Sequence, residues 1–286
     1  MASGADGERT MMPDVVPLRV VAHASVLHDH WWREPFKMAA PVSGDVQQVK
    51  SLSEPKVLGR LLPPNLRADV FIGTNAKRVR RQRRRLHRAI SRNLAGETPS
   101  YALAVLTPRR HHALLAAAAL HEPRSLMRRK LPEAECDGAT RPANRTVELE
   151  TALRWRMLAI SGAAGAGMAL HVDDPPLSSW HTHVRGAKHW LLCPTHAIDN
   201  RTCRVATLRA GESIYYPHGW WHQTRSIERW TTSISRSLIT PANARGVALG
   251  IRRFCEEASA LGTHVALCRA MRPCLLRLAR VRDDDG

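Results

Sequence analysis

The sequence is poor in aromatic residues and has no long apolar run. Phe, Tyr and Trp make up 5% of its 286 residues, with only three Tyr and three Phe. The most apolar stretch, residues 113–123 (ALLAAAALHEP), is shorter than the roughly 20 apolar residues that a transmembrane helix needs. The sequence therefore predicts a soluble protein that does not enter a membrane.

The sequence also shows no closely spaced cysteine pair and no pattern typical of a secretory leader. The N-terminus has no charged start followed by an apolar segment. The six cysteines contain no CxxC pair; they are Cys136, Cys193, Cys203, Cys255, Cys268 and Cys274. This pattern predicts a reducing intracellular compartment.

Acidic residues are outnumbered, and the excess of basic ones is large. Lys and Arg total 43 against 25 Asp and Glu, which gives a net charge of +18. Such an excess favours an acidic partner, such as nucleic acid or an acidic protein tract. The alternative is an Arg-biased proteome, because Arg replaces Lys almost throughout.

The basic residues concentrate in residues 77–95. Val79, Leu86, Ile90 and Leu94 have helical spacing within this segment, so it predicts an amphipathic basic helix. Its Arg-rich part, 77–88, is a candidate site for RNA or another polyanion, or a nuclear import signal. The alternative is a solvated helix face. The import signal favours the nucleus over the cytoplasm.

The chain divides into four predicted parts. Residues 1–15 form a disordered arm, 16–95 an N-terminal flanking region with the basic helix, 96–240 a barrel, and 241–286 a helical segment. Short strand-like runs between 153 and 238 alternate with turn residues, which indicates an antiparallel sandwich or barrel. Apolar spacing in the C-terminal segment predicts helices that pack on the barrel or form a homodimer.

The stretch GMALHVDDPP contains the first candidate metal ligands. His171 and Asp173 are two residues apart, so on a strand both side chains point to one face. His222, in YYPHGWWHQT, supplies a third ligand from a later strand. Two His and one carboxylate are typical of non-haem Fe(II) oxygenases. Pro217 and Gly219 predict a turn that aims His222, with the neighbouring aromatic side chains excluding water.

Lys188 is the candidate cation for an organic co-substrate. An iron centre that activates oxygen with such a co-substrate needs a positive group for its distal carboxylate. Lys188 lies one Gly turn beyond the metal motif and shares a strand face with Trp190 and Leu192. An inward-facing lysine is therefore geometrically possible.

Two longer stretches carry a family resemblance. GAGMALHVDDPPLSSWHTHVRGAKHWLLCP followed by LRAGESIYYPHGWWHQT resembles the JmjC-domain oxygenases, specifically the lysyl-hydroxylase branch once described as a phosphatidylserine receptor. Upstream, ETPSYALAVL and LLAAAALHEPRSLM extend the resemblance, which covers roughly residues 70–240. It implies a mainly β protein with flanking helices, namely a double-stranded β-helix (cupin-like jelly roll) with N-terminal α/β elements and C-terminal helices.

The resemblance also assigns site residues. It implies His171, Asp173 and His222 as iron ligands, Lys188 as the partner of the 2-oxoglutarate C5 carboxylate, and Tyr101 as a second contact to that carboxylate.

Three further positions compare with the family pattern. Ser235 falls near the family's co-substrate-binding Thr, one residue out of step. His181 stands where the family has Asn, and its ring can still hydrogen-bond the co-substrate. Met168 stands where the family has Thr.

The implied activity is that of an Fe(II)- and 2-oxoglutarate-dependent dioxygenase that uses O2, with ascorbate as reductant. It would abstract hydrogen from a C–H bond of a Lys- or Arg-containing protein substrate and hydroxylate it, with lysine as the first choice. The alternatives are demethylation of histone or other N-methyl groups, an inactive cupin-type barrel that binds RNA or acidic proteins, and a metal-dependent cupin isomerase or dioxygenase acting on a small molecule.

Overall fold

The computed structural model describes residues 16–21, 34–38, 58, 62–72, 80–95, 100–117, 156–173, 177–195, 202–239, 241–262 and 265–279. Within these ranges the strands form one sheet of four strands and one of nine. The smaller sheet has the strand order β1 (Val16–Pro17), β10 (Arg204–Arg209), β9 (Ala187–Cys193) and β12 (Trp221–Ser226).

The larger sheet joins strands from both the flanking region and the predicted barrel. Its order is β2 (Val20–Val21), β3 (Phe36–Met38), β11 (Ser213–Tyr216), β8 (Ser178–Arg185), β13 (Thr231–Leu238), β7 (Arg156–Ser161), β6 (Ser100–Val105), β4 (Arg67–Ile72) and β5 (Arg80–Arg85). The helices are α1 (Leu86–Ala95), α2 (Pro108–Ala117), α3 (Pro241–Ala260) and α4 (Val265–Leu278).

From β8 to β13 the chain passes back and forth between the two sheets. It leaves the larger sheet after β8 at Gly186, returns at β11 after Gly211, crosses to β12 and ends in β13. Antiparallel pairing with repeated crossing between two sheets is the connectivity of a jelly roll. The predicted fold class, a double-stranded β-helix with flanking helices, is confirmed.

Side chains from both sheets fill the barrel. Trp190, Leu192 and Ile214 are buried together, and Phe36 stacks on Tyr215 with ring centroids 5.0 Å apart. Outside the barrel, α3 and α4 bury Val247, Ile251 and Met271 with Leu177 and Ile239. The C-terminal helices therefore pack on the barrel, one of the two predicted arrangements.

The predicted basic helix over 77–95 is wrong in its first half. Residues 80–85 form β5, which pairs antiparallel with β4, and the helix α1 begins only at Leu86. The physical reason is that the buried apolar positions begin only at Leu86, whereas residues 80–85 are held by pairing with β4. Leu86, Ala89 and Ile90 are buried on α1, whereas Arg83 and Arg85 alternate with less exposed residues along an edge strand.

The cysteines also differ from expectation. Cys193 bonds to Cys203, at the facing ends of β9 and β10, and Cys255 bonds to Cys268 between α3 and α4. Their separations of 10 and 13 residues form no short motif, so the sequence spacing could not reveal partners that only the fold brings together. Disulfides are rare in reducing compartments, and the reducing compartment stays a prediction.

Some predictions fall outside the described residues. The arm at 1–15, residues 77–79 and the end of the C-terminal segment are among them. The domain boundaries stay predictions. No helix in the described ranges combines the length and apolar character needed to cross a bilayer.

Candidate metal centre

The segment that carries the first two candidate ligands runs alongside β12. His171 and His222 exchange both backbone hydrogen bonds, with N···O distances of 3.0 and 2.8 Å, and the Thr224 amide donates to the Met168 carbonyl at 3.1 Å. The approach is so close that a Cβ on Gly167 would lie 1.9 Å from the Thr224 carbonyl oxygen. Backbone pairing, aided by this glycine, therefore brings the HxD segment to the third histidine.

The turn before β12 sets the direction of His222. Gly219 has a φ of +76°, a region in which residues with a Cβ are strained. The turn predicted from Pro217 and Gly219 is confirmed, and β12 begins two residues later. His222 is 3% exposed, while the His171 and Asp173 side chains are half-buried, so the site opens on the side of His171.

The two imidazoles have the same tautomer, fixed in the same way. Nδ1 of His171 lies 2.7 Å from the Ala169 carbonyl oxygen, and Nδ1 of His222 lies 3.1 Å from that of Trp220. A carbonyl oxygen only accepts, so Nδ1 carries the proton in both rings. Each Nε2 therefore presents a lone pair, which is the form that binds a metal.

The carboxylate of Asp173 completes the group. Its Oδ1 lies 3.9 Å from Nε2 of His171 and 3.6 Å from Nε2 of His222. The three ligand atoms lie within 4.8 Å of one another. Burial lowers the pKa of His222, and the charge of Asp173 partly opposes that shift. The structure thus brings together the three residues that the sequence predicted as metal ligands.

Lys188 lies deeper in the barrel and has no hydrogen-bonding partner. It is completely buried, and burial lowers its pKa to about 7. Its Nζ lies 4.9 Å from the centroid of the Tyr101 ring, but no described residue accepts a hydrogen bond from it. A buried ammonium without an acceptor is costly, so this position favours an anionic ligand.

Three more polar atoms near the barrel centre lack partners among the described residues. They are Nε2 of His183, Nε1 of Trp190 and Oγ of Ser233. His183 is buried on β8, two residues from His181. Strand alternation from His181 was the signal that could have revealed it. Burial, and then the charge of Lys188, lowers the pKa of His183.

The other predicted co-substrate contacts also lie inside the barrel. Tyr101 is buried on β6, and burial raises the pKa of its hydroxyl. Ser235 on β13 is the register partner of His181 on β8, so both side chains share a face. Burial, followed by the charges of His222 and Lys188, lowers the pKa of His181 and keeps its ring neutral at pH 7. The roles of these residues stay predictions.

Comparison with known proteins finds two plant demethylases that are similar in sequence and a bacterial oxygenase that is similar in structure. The arginine-specific demethylase JMJ22 of Arabidopsis thaliana is 24% identical over 126 residues, which cover 33% of this chain and 24% of that protein. The lysine-specific demethylase JMJ21 of the same plant is 24% identical over 151 residues, which cover 41% of this chain and 15% of that protein. The ribosomal oxygenase YcfD of Escherichia coli superposes with a TM-score of 0.50 at 16% identity, over 80% of this chain and 54% of that one.

The resemblance to JmjC-domain oxygenases is confirmed. The lysyl-hydroxylase branch within the JmjC proteins is not confirmed by these relatives. The chain covers only 24% and 15% of the two plant JmjC proteins and 54% of the bacterial structure, so their whole activities do not transfer directly. No protein-family model matches the chain.

Proposed function

We propose that this protein is an Fe(II)- and 2-oxoglutarate-dependent oxygenase that hydroxylates a protein side chain, with lysine as the target residue. The observation that carries the proposal is the pairing of two features in one barrel. One is a preorganised group of two histidines and one carboxylate, and the other is a buried, unpartnered lysine deeper inside.

The donor set fits Fe(II). Two neutral imidazoles and one carboxylate form the combination typical of non-haem iron oxygenases. The iron would be held by His171, Asp173 and His222. Bound there, it would activate O2 in a reaction coupled to the decarboxylation of 2-oxoglutarate. The protein contributes fixed ligand tautomers and a shielded interior, since the Tyr216 ring lies 4.5 Å from the His222 ring.

The interior fits the distal carboxylate of 2-oxoglutarate. Lys188 offers three donors and a positive charge, and binding an anion would relieve the cost of its burial. Tyr101, beside it, would add the predicted hydroxyl contact. His181 and Ser235 are register partners on β8 and β13, and the charges of both His222 and Lys188 act on His181. In the proposed site both side chains would contact the co-substrate between the lysine and the metal ligands.

The proposed substrate is a protein segment that enters beside His171, the more exposed of the two histidines. A Lys- or Arg-containing segment is proposed because the related plant proteins are named as demethylases of these two residues. In a hydroxylation the target carbon loses one hydrogen and gains one hydroxyl group. The oxidant is O2, and 2-oxoglutarate supplies the remaining two electrons as it becomes succinate and CO2.

Removal of an N-methyl group is the second candidate reaction, and the names of the two plant relatives favour it. Hydrogen abstraction is the common first step. A hydroxylated N-methyl carbon then breaks its bond to nitrogen and leaves as formaldehyde, whereas a hydroxylated side-chain carbon stays attached. Mass spectrometry of the peptide product, together with a formaldehyde assay, separates the two reactions.

The deciding experiment measures succinate release from 2-oxoglutarate with Fe(II), O2 and ascorbate, with and without a pool of Lys/Arg-rich peptides, some of them methylated. Wild type is compared with His222→Ala. Turnover that needs His222 and rises with peptide supports the proposal. Metal binding without 2-oxoglutarate turnover would favour the inactive RNA- or protein-binding barrel, or an enzyme acting on a small molecule.

We also propose that the basic edge of the larger sheet binds a polyanion such as RNA. Arg83 and Arg85 are exposed on β5, Arg67 is exposed opposite Arg85 on β4, and Arg88 is exposed on α1. Polyanion binding through such residues weakens steeply as salt rises. The double variant Arg83→Gln and Arg85→Gln should reduce the salt dependence of polyanion affinity. An unchanged salt dependence would show that this edge is only a solvated surface.

Two further proposals concern the whole molecule. The Arg-rich edge is proposed as a nuclear import signal, which a fluorescent fusion with and without the Arg→Gln changes would test. The C-terminal helices are proposed as a homodimer contact, because large apolar side chains on or beside them are exposed, namely Leu249, Leu261, Val265 and Leu276. Light scattering of wild type and Leu249→Lys would test this contact.

A further inference from the structure

Tyr216 ends β11 and is buried, with its hydroxyl among the polar atoms of the metal site. The hydroxyl oxygen lies 2.9 Å from Oδ2 of Asp173, 3.2 Å from Nε2 of His222 and 3.1 Å from Nε2 of His181. We propose that Tyr216 is a positioning residue of the metal centre, which holds Asp173 so that only Oδ1 faces the two imidazoles. This inference rests on the proposed metal site.

The hydrogen bonds of Asp173 divide its two oxygens. Oδ2 accepts from the hydroxyl of Tyr216 at 2.9 Å and from the hydroxyl of Ser179 at 3.0 Å. Oδ1 is the oxygen nearest Nε2 of both His171 and His222. Two donors on one oxygen leave the other for a cation, so the carboxylate is held ready to bind through a single atom.

The two donors come from adjacent strands and act as a pair. Tyr216 on β11 and Ser179 on β8 are register partners, so their side chains leave the sheet side by side. Asp173 itself lies outside the named strands, two residues beyond the backbone bridge at His171. The cross-strand hydroxyl pair therefore fixes a ligand that the backbone pairing at His171 does not hold directly.

The direction of each hydrogen bond follows from the groups involved. A carboxylate only accepts, and Oδ2 of Asp173 lies nearer the Tyr216 hydroxyl than Nε2 of His222 does, at 2.9 against 3.2 Å, so Tyr216 donates its hydrogen bond to Asp173. The oxygen of Tyr216 can then accept a hydrogen bond from Nε2–H of His181, whose neutral ring has one N–H. The resulting chain runs from His181 through Tyr216 to Asp173, and it links a predicted co-substrate contact to a metal ligand.

The adjacent tyrosine shows what a purely structural role looks like. Tyr215 is as deeply buried as Tyr216, but its hydroxyl donates to Ser178 at 3.3 Å and its ring stacks on Phe36. Neither contact involves a metal ligand. Tyr215 and Tyr216 thus form a matched pair that differ in whether the hydroxyl reaches Asp173.

The test compares Tyr216→Phe with Tyr215→Phe in the full chain, by titration with Co(II) and by the visible spectrum of the Co(II) complex. Loss of a partner that orients a metal ligand typically costs about 10–100-fold in affinity. We expect that loss and an altered spectrum for Tyr216→Phe, with Tyr215→Phe within about twofold of wild type. Both variants keep the ring, so packing changes little.

Ser179→Ala provides a second variant, because it removes the other donor to the same oxygen and leaves both tyrosine rings in place. It should also weaken Co(II) binding. Wild-type affinity and spectrum in both Tyr216→Phe and Ser179→Ala would overturn the positioning role while leaving the metal centre intact. Failure of the wild-type protein to bind Co(II) would overturn the metal centre, and the positioning role with it.

Discussion

The two ends of the barrel interior differ in how their polar atoms are satisfied. At the metal end, the histidines donate to backbone carbonyls through Nδ1, and Asp173 accepts from two hydroxyls. At the inner end, Lys188, His183 and Ser233 each have a buried polar atom without a partner among the described residues. Only the metal end is organised by the protein's own hydrogen bonds.

This difference indicates what each end requires. Buried polar groups in folded proteins are almost always paired, and unpaired ones call for an explanation such as an absent ligand. The metal end has oriented lone pairs, which a cation satisfies. The inner end has donors and a positive charge, which an anion satisfies. A metal ion bound next to an organic dianion meets both requirements at once.

The largest expected effect is the loss of metal affinity when one of the proposed ligand side chains is removed. His171→Ala should weaken Co(II) binding by more than about 100-fold, because it removes a donor atom rather than a group that orients one. The His171 side chain is about one-third exposed, so the barrel should remain folded. Isothermal titration with Co(II), beside a thermal melt of the apoprotein, measures both effects.

A second histidine offers the control. His189 is exposed on β9 and hydrogen-bonds Thr207 through Nδ1 at 2.8 Å, away from the ligand group. His189→Ala should leave Co(II) affinity unchanged. Equal losses in both variants would show that the metal binds at surface histidines and would remove the contrast between the two ends.

Features of the two ends that depend on local sequence could be predicted, whereas those that depend on strand pairing could not. The grouping of His171, Asp173 and His222 was predictable from donor chemistry, although Asp173 lies outside the named strands, and the inward position of Lys188 was predictable from strand periodicity. The bonds to Asp173 were not, since they depend on the register between β11 and β8. The same reason accounts for β5, whose Arg-rich strand forms through pairing with β4 and not through any apolar pattern of its own.

Replacing the buried lysine should affect the inner end alone, by a smaller factor. A hydrogen bond to a charged group contributes about 1.5–3 kcal/mol, so Lys188→Met should weaken 2-oxoglutarate binding by roughly 10–100-fold. Co(II) affinity should not change. The free protein should become more stable, by about 1–4 kcal/mol, because an unpaired buried cation is removed. Ligand titration and urea unfolding measure these effects.

Lys37 shows the opposite situation and serves as the control. Its Nζ lies 2.7 Å from Glu212 and donates to the Thr207 carbonyl at 2.9 Å. Lys37→Met should therefore lower stability or leave it unchanged, with no effect on 2-oxoglutarate binding. If Lys188→Met lowered stability instead, Lys188 would have a partner in the free protein and the inner end would not need an anion.

The smallest expected effect is the pH dependence of co-substrate binding. Burial lowers the pKa of Lys188 to about 7, so the free protein loses this charge as pH rises through 7. The 2-oxoglutarate dianion favours the charged form and raises the lysine pKa in the complex. With metal saturating, the dissociation constant of 2-oxoglutarate should be level below pH 7 and rise by up to about tenfold per pH unit above it, until the raised pKa is reached.

Burial keeps His181 and His183 neutral in this range, so neither contributes. Titrations from pH 6 to 9 should show this slope in wild type and not in Lys188→Met, whereas the same slope in both would assign the titration to another group and leave Lys188 without a role in holding the carboxylate.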